Sequence, residues 1–550
     1  NPVLNADGSV RMAGLDNHSM GTIFEELIRR FNEENNEEAG EHFTPRDVVK
    51  LMANAIFLPA ADKIESGTYL VYDGACGTGG MLTVAEETLL DLANTHKKKF
   101  EIHLFGQEIN PETYAIAKAD LLLKGEGSEA ENIKFSSTLS ADAFPSHEFD
   151  FMLSNPPYGK SWKTDLERMG GKTDIKDQRF IIEYAGNPEY SMIPRSSDGQ
   201  MLFLVNKISK MKQRTELGSR IAQVHNGSSL FTGDAGQGES NIRRWIIEND
   251  WLEAIIALPE NMFYNTGIST YIWVLSNRKT KERKGKVQLI DASALFTPLR
   301  KNLGKKNCEF SDEQINMICD LILKPKQTEI SKIFQNEAFG YHKITVERPL
   351  RLAVNFDSES IAAFKKACLE ADEKQLIALL EKMGTVPIFD YNEFQKKLEA
   401  TAETMNLKLN TKRLKLVQNN LAVVDETAAP VIKKIIKSGK MNINPLYGVY
   451  ETVIDKKKFT VEYEPDTNLR DTEQVPLLED GGIEAFFKRE VLPYAPDAWI
   501  DETKTQVGYE ISFTRYFYKP AQMRTLDEIT ADIKALEKET DGLLNEIIGN

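Results

Sequence analysis

Residues 69–80 read Tyr69-Leu70-Val71-Tyr72-Asp73-Gly74-Ala75-Cys76-Gly77-Thr78-Gly79-Gly80. An apolar strand runs into a glycine-rich turn, and an amphipathic helix follows, with Met81, Leu82, Val84, Ala85 and Leu89 at helical spacing. Gly77, Gly79 and Gly80 permit unusual dihedrals and close approach of a ligand to the backbone. A turn at the carboxyl end of a strand is the usual ligand position in an open α/β sheet. A second strand, Ile102-His103-Leu104-Phe105-Gly106-Gln107-Glu108, ends in an acid about one βαβ unit later, where a carboxylate can meet ribose hydroxyls. The turn departs from the dinucleotide fingerprint, because Asp73-x-x-x-Gly77-x-Gly79 lacks the third glycine at its usual offset.

The alternation continues to about Lys286. Strands are expected at 69–73, 102–107, 149–154, 220–224, 253–258 and 270–276, and helices at 81–94, 111–124, 201–213 and 240–249. This pattern predicts an α/β fold with a doubly wound, mostly parallel Rossmann-like sheet. One strand stops abruptly: residues 151–158 read Phe151-Met152-Leu153-Ser154-Asn155-Pro156-Pro157-Tyr158. The two prolines cannot continue a central strand or donate to its ladder. They fix an extended turn that holds the Asn155 amide and the Tyr158 ring at the sheet edge. That pairing suits chemistry on a planar exocyclic amine. The amide and a proline carbonyl accept hydrogen bonds from the amine, and the ring stacks on the base face. Glycine turn, acidic strand end and Asn-Pro-Pro-Tyr, in that order, resemble an S-adenosylmethionine-dependent amino-methyltransferase.

At 550 residues the chain should hold two or three domains. No apolar run reaches membrane-spanning length and no signal peptide is visible. Cys76, Cys308, Cys319 and Cys368 are scattered, without a Cys-x-x-Cys pair. That argues against a disulfide framework or a zinc site and fits a reducing cytoplasm. Cys76, inside the turn, reads as small-residue packing, and no metal is expected from the dispersed histidines. The net charge is −15, whereas phosphate binding needs a basic face. Either a basic stripe hides in an acidic average, or a partner supplies most of the affinity for nucleic acid. The second is favoured, with some of the first.

Glu41-His42-Phe43-Thr44-Pro45-Arg46-Asp47 opens a helix carrying Val48, Val49, Leu51, Met52, Ala55 and Ile56. Thr44 suits the N-cap, Pro45 the first helical position, and Asp47 completes a variant capping box. Two readings stand side by side: a well-capped helix start, or a helix start that borders the cofactor. The polar stretch 162–194 reads as a mobile loop near substrate. The turn 226–233 is either a plain βα loop or a substrate contact. The charged run 278–286 reads as a solvated hairpin tip between two strands, with a phosphate-contacting role as the lesser alternative. Lys433, Lys434, Lys437, Lys440 and 456–458 are read with the same caution. Residues 357–420 read as successive helices before a mixed region. Leu526, Ile529, Ile533, Leu536, Thr540, Leu543 and Ile547 form a heptad seam that would dock on a partner or, as the less favoured reading, on its own protein. The first helix, with Met20, Ile23, Phe24, Leu27, Ile28 and Phe31 on one face, also lacks a partner. With Asn1 in place of an initiator Met, it suggests a chain that begins partway through a larger protein.

These residues together resemble the modification (M) subunit of type I restriction–modification systems, an N6-adenine DNA methyltransferase, over nearly the whole chain. Val224-His225-Asn226-Gly227-Ser228 through Ile255-Ile256-Ala257-Leu258-Pro259, and Gly508-Tyr509-Glu510-Ile511 before a terminal helix, share in the resemblance. It implies the gamma-class motif order and S-adenosylmethionine as cofactor. It further implies cofactor contacts from Glu41, His42, Phe43, Thr44, Pro45 and Arg46, and from Asp73, Gly74, Ala75, Gly77, Thr78, Gly79 and Gly80. Glu108 becomes the ribose acid, and Asn155, Pro156, Pro157 and Tyr158 the catalytic loop. An acid for the cofactor adenine is expected before the catalytic strand, and Asp142 is the candidate. Implied partners are double-stranded DNA, a specificity (S) subunit, a second M subunit and restriction (R) subunits, with no membrane. Four parts follow: 1–40, a remnant of an N-terminal helical domain; 41–300, the methyltransferase domain; 301–524, a helix-rich region; and 525–550, a terminal coiled-coil or bundle helix.

Other readings remain open on the residues alone. Asn-Pro-Pro-Tyr also serves methyltransferases acting on protein glutamine or RNA adenine. A cofactor-binding, non-catalytic scaffold subunit is a third reading. A self-sufficient restriction enzyme lacks a convincing nuclease carboxylate cluster.

Overall fold

A computed structural model describes residues 44–518, apart from 124–126, 172–174, 185, 186, 265, 387, 389, 437–441 and 455, and also 3–4, 10–12, 525, 526 and 528–536. The expected helix at 20–31, Glu41, His42 and Phe43, Lys437 and Lys440, and the heptad positions Thr540, Leu543 and Ile547 lie outside the described residues.

Nine strands form the central sheet. In chain order they are β1 (Gly67–Asp73), β2 (Phe100–Glu108), β3 (Ile133–Phe135), β4 (Phe151–Ser154), β5 (Arg220–Asn226), β6 (Leu252–Ala257), β7 (Thr270–Ser276) and β8 (Lys286–Asp291). A two-stranded ribbon, β9 (Thr297–Leu303) and β10 (Lys306–Glu309), then precedes the ninth strand, β11 (Ser331–Gln335). The spatial order is β11-β8-β6-β7-β5-β4-β1-β2-β3. Only β7 and the edge strand β11 pair antiparallel with their neighbours. The sheet is therefore mostly parallel, as the alternating pattern predicts, and it extends past residue 300.

The winding reverses between β1 and β4. From β1 the chain adds β2 and β3 on one side, and from β4 it adds β5 on the other. Loops leaving β1 and β4 diverge there and open a crevice at the carboxyl edge.

Period-two alternation sends strand residues to two cores. Phe151 and Leu153 join the core under α1 (Arg46–Phe57), α2 (Gly80–Thr95) and, across α3 (Pro111–Leu123), Ala117 and Leu121. Met152 joins the other core, under α4 (Gln200–Ser209) and α5 (Gly238–Glu248). The helix α6 (Asp312–Leu323) completes the first layer, where Ile315, Ile318 and Ile322 are buried.

The run 278–286 is not a hairpin tip. Strands β7 and β8 flank β6 on opposite sides, so the run is a crossover. Two of its cations are drawn inward: Lys279 Nζ donates to Asp250 Oδ1 at 2.7 Å, and Arg283 Nε lies 3.1 Å from Glu253 Oε1.

Beyond the sheet, four helices, α7 (Ser358–Glu370), α8 (Lys374–Met383), α9 (Tyr391–Thr404) and α10 (Thr411–Leu421), enclose a core of their own. The region also carries strands: β12 (Gly340–Glu347) lies between β13 (Asp471–Pro476) and β14 (Trp499–Tyr509). The segment Gly508-Tyr509-Glu510-Ile511 docks on the methyltransferase layers, where buried Arg243 donates Nε–H to the Tyr509 carbonyl at 2.6 Å. Leu526, Ile529, Ile533 and Leu536 are exposed. Among the described residues no helix is long and apolar enough to cross a membrane.

Glu253, 2% exposed, sits between Arg220 and Arg283. Burial raises its carboxyl, but Arg220, Arg283 and Lys279 outweigh burial and hold it below the usual range. A depressed carboxyl stabilises the fold above the unfolded-state value and loses that contribution as pH falls below about 4. Glu253→Gln leaves two buried guanidinium groups without a counter-charge. The expected loss is about 3–5 kcal/mol in urea unfolding of the sheet domain, and an unchanged midpoint would contradict it.

Candidate active site

The turn after β1 takes its shape from two carboxylates. Gly77 and Gly79 adopt left-handed φ of 53° and 82°, which side chains with a Cβ rarely tolerate. Asp73 Oδ1 accepts from Ala75 N at 2.9 Å and from Ser154 Oγ at 2.5 Å, joining the turn to the end of β4. From the other side, Glu108 Oε2 accepts from Gly77 N at 2.8 Å. Its Oε1 accepts from Ile109 N at 3.0 Å and Asn110 N at 2.8 Å. A carboxylate offers about four acceptor positions, so one remains open.

A cavity of about 360 Å³ opens above this turn. Of the expected residues, Thr44, Arg46, Asp73, Gly74, Ala75, Gly77, Thr78, Gly80, Glu108, Asn155 and Pro157 line it. Pro45, Gly79, Pro156, Tyr158 and Asp142 are not among its walls. Tyr158 is half-buried and packs against the first core.

Asn155 follows directly after β4. Its Nδ2 donates to Thr44 Oγ1 at 3.0 Å. Its Oδ1 is buried and accepts no hydrogen bond among the described residues. The capping box expected for α1 does not form: the helix begins at Arg46, after Pro45, with no side-chain cap. The Thr44 hydroxyl serves Asn155 instead. Asp47 Oδ2 accepts from Phe310 N at 2.8 Å, and Lys306 Nζ lies 3.4 Å from both Asp47 oxygens. The helix start thus borders the cavity.

Asp142, expected to meet the cofactor adenine, is engaged elsewhere in this structure. Its Oδ2 accepts from Lys210 Nζ at 2.7 Å and lies 3.6 Å from Arg179 Nη1. Two cations behind the cavity therefore hold the carboxylate away from it. The wall before β4 is instead Ser136, Ser137, Thr138 and Leu139. Arg179 grips that wall, donating to the Thr138 carbonyl at 2.7 Å and the Leu139 carbonyl at 2.8 Å.

The stretch 162–194 is more ordered than a loop. It contains the helix Lys163–Arg168 and strands Ile181–Tyr184 and Asn187–Ser191. Trp162 and Asp165 line the cavity, and Trp162 Nε1 donates to the Arg195 carbonyl at 2.9 Å. The turn 226–233 lies outside the cavity walls, and Asn226 Oδ1 accepts from Gln200 Nε2 at 2.7 Å.

Sequence reasoning missed Ser154, Trp162, Arg179 and Lys207. Ser154 alone had a local signal, as the polar end of an apolar strand. Lys207 on α4 is fully buried beneath the turn, and its Nζ has no hydrogen-bond partner. Burial pushes the Asp73 carboxyl up to about 6 against its bonds from Ser154 and Ala75. Burial brings Lys207 down to about 7, against the pull of Asp73. Among the described residues no group of three or more His, Cys, Asp or Glu could hold a metal ion.

Residues 15–339 match the family model of N-6 DNA Methylase. The type I restriction enzyme MjaIX methylase subunit of Methanocaldococcus jannaschii is 28% identical over 305 residues, covering 54% of this chain and 48% of that protein. The type I restriction enzyme EcoKI methylase subunit of Escherichia coli is 25% identical over 270 residues, covering 47% of this chain and 44% of that protein. A solved type I restriction-modification methyltransferase subunit from Streptococcus thermophilus is 26% identical, with a TM-score of 0.46, covering 58% of this chain and 60% of that one. The chain spans about half the length of the curated relatives it matches. The family model covers more than half of the 550 residues, and the chain belongs to the N-6 DNA methylase family.

Proposed function

We propose that this chain transfers a methyl group from S-adenosylmethionine to N6 of a flipped-out adenine in DNA, as the modification subunit of a type I restriction–modification complex. The observation that carries the reading is Asn155: its nitrogen is held by Thr44, while its oxygen is buried, unpartnered and at the cavity wall. An orphaned buried acceptor costs about 1–3 kcal/mol, and a donor from substrate removes that cost.

The cavity residues suit the cofactor. The glycine turn exposes backbone, Glu108 keeps one acceptor position for a ribose hydroxyl, and Ser136–Leu139 form the opposite wall. S-adenosylmethionine, when bound, supplies an electrophilic sulfonium methyl.

The target base leaves the helical stack because its N6 is otherwise out of reach. Asn155 Oδ1 and the Pro156 carbonyl accept hydrogen bonds from the two N6–H groups. They draw the nitrogen lone pair out of ring conjugation and fix its direction. As the N–CH3 bond forms and the sulfonium S–CH3 bond breaks, one N6 proton passes to solvent and the sulfur leaves as a neutral thioether. The Tyr158 ring stacks on the base, worth about 1–3 kcal/mol. Type I relatives are named as methylase subunits, and the exposed Leu526, Ile529, Ile533 and Leu536 support a partner helix. The specificity subunit is the expected partner, alongside a second modification subunit and restriction subunits.

The direct experiment is transfer of labelled methyl to unmethylated duplex DNA, by this chain alone and with its specificity subunit. Label on protein or RNA in place of adenine N6 would refute the reading. Asn155→Ala should retain cofactor binding and lose transfer by roughly a hundredfold or more; a rate near wild type would remove Asn155 from the mechanism. Glu108→Ala removes both the turn's brace and the ribose acceptor. Cofactor affinity should fall roughly tenfold to a hundredfold by calorimetry, and an unchanged affinity would rule out its ribose role.

A further inference from the structure

We propose that the ribbon β9–β10 is a phosphate-contacting arm that grips the duplex beside the flipped base. The proposal deepens the reading of the site as a DNA adenine methyltransferase, and rests on it.

Position is the first argument. Strand β6 runs parallel to β1 and β4, because β7 reverses direction twice between β5 and β6. Strand β8 is parallel to β6. Segments that leave the ends of β6 and β8 therefore emerge at the same sheet edge as the glycine turn and Asn155. The ribbon follows β8 and rests on the segment after β6: Lys305 N donates to the Tyr264 carbonyl at 2.8 Å, and Asn307 N to the Asn261 carbonyl at 3.1 Å.

Rigid connection is the second. Lys306, 3% exposed, extends its amine to Asp47 and to the Met262 carbonyl at 3.1 Å. Asp47 also holds the Phe310 amide at the ribbon's root. Asp47 lies in the first turn of α1, three residues from Thr44, which holds Asn155. A short chain of bonds thus fixes the ribbon relative to the catalytic amide.

Charge is the third. Residues 292–311 carry Arg300, Lys301, Lys305 and Lys306 against one acid, Glu309, in a chain of net charge −15. Lys306 is used structurally. Arg300, Lys301 and Lys305 are exposed near the tip, and none has an ion pair among the described residues. The basic run 278–286 also keeps Lys281, Lys284 and Lys286 exposed, but it leads from β7 into the start of β8, whereas the ribbon follows the end of β8 and places its three cations at the edge of the glycine turn. Three such cations beside an adenine site suit the phosphates flanking that adenine. A two-stranded ribbon is also narrow enough to lie along a groove of the duplex.

The test uses the full chain with its specificity subunit and a fluorescent mixed-sequence duplex, titrated across a salt series. The variant is Arg300→Ala with Lys301→Ala and Lys305→Ala. The control is Lys408→Ala with Lys412→Ala and Lys415→Ala, three exposed cations at and beside α10 with the same change in net charge. The ribbon variant should bind DNA roughly tenfold more weakly, and its log affinity should fall less steeply with log salt, by about 1 for each phosphate no longer neutralised. Its melting temperature and cofactor affinity should match wild type. Equal salt slopes for wild type and ribbon variant, or equal weakening in the control, would overturn the proposal. Methyl transfer is read in parallel. Ribbon-dependent binding without adenine label would sustain the arm and sink the catalytic reading. Adenine label with ribbon-independent binding would do the reverse. A wild-type complex that neither binds nor methylates DNA would bring down both.

Discussion

The hydrogen bond from Asn155 Nδ2 to Thr44 Oγ1 orders the rest of the site. An amide can turn about its terminal bond, and a buried one settles where its donors and acceptors are best met. The hydroxyl takes the nitrogen, so the oxygen stays at the cavity wall without a donor. In the proposed reading, that one buried acceptor left unmade is what the site holds ready for a substrate donor. The same bond gives α1 a second role. The helix is buried along Val48, Val49, Leu51 and Met52, and its first turn carries both the Asn155 anchor and the Asp47 anchor of the ribbon.

Beneath that bond lies a layer of buried charge. Asp73 joins the glycine turn to Ser154, the residue before Asn155. Glu108 braces the turn from β2. Two carboxylates close to one turn repel each other, and burial raises the Asp73 carboxyl. Lys207, enclosed on α4 without a hydrogen-bond partner, is the nearby amine whose charge favours the Asp73 carboxylate, while burial lowers that amine. An amine in that position acts through its field on Asp73, not through a contact. The turn's shape thus depends on residues from β1, β2, β4 and α4, which only the folded sheet brings together.

This division explains what was legible. Strand β4 and residues 254–257 of β6 are buried and read as short apolar runs, so they could be placed before the fold was known, while β5 is buried although Arg220, Gln223 and His225 interrupt its apolar residues. The helices after them carried clear 3.6-residue periodicity. The glycine turn, Glu108 and Asn155 were legible because they sit at strand ends, where sheet geometry fixes a side chain's place. The failures share one cause. Thr44 fits an N-cap by every local rule, yet its hydroxyl is taken by a residue 111 positions away. Asp142 is the right residue type just before the catalytic strand, but Lys210 and Arg179 hold it. Arg283 sits in a run that reads as solvated, but Glu253 draws it inward. Local sequence reports what a side chain can do. Which of several competing partners wins is decided by long-range contacts.

The acidic balance of the chain follows the same logic. Net charge is a sum, and a sum does not say where cations stand. Arg220, Lys279 and Arg283 lie inside, balancing Glu253 and Asp250, and contribute nothing to a field at the surface beyond their pairs. Arg300, Lys301 and Lys305 stand in water at the edge where the cavity opens, and their field is not cancelled by a bonded acid. Screening limits that field to about 8–10 Å at physiological salt, so the remaining acidic surface has little influence at the ribbon. An acidic protein can therefore offer DNA a local grip while its average charge discourages non-specific binding. That balance fits the proposed reading, in which a specificity subunit carries out the sequence reading.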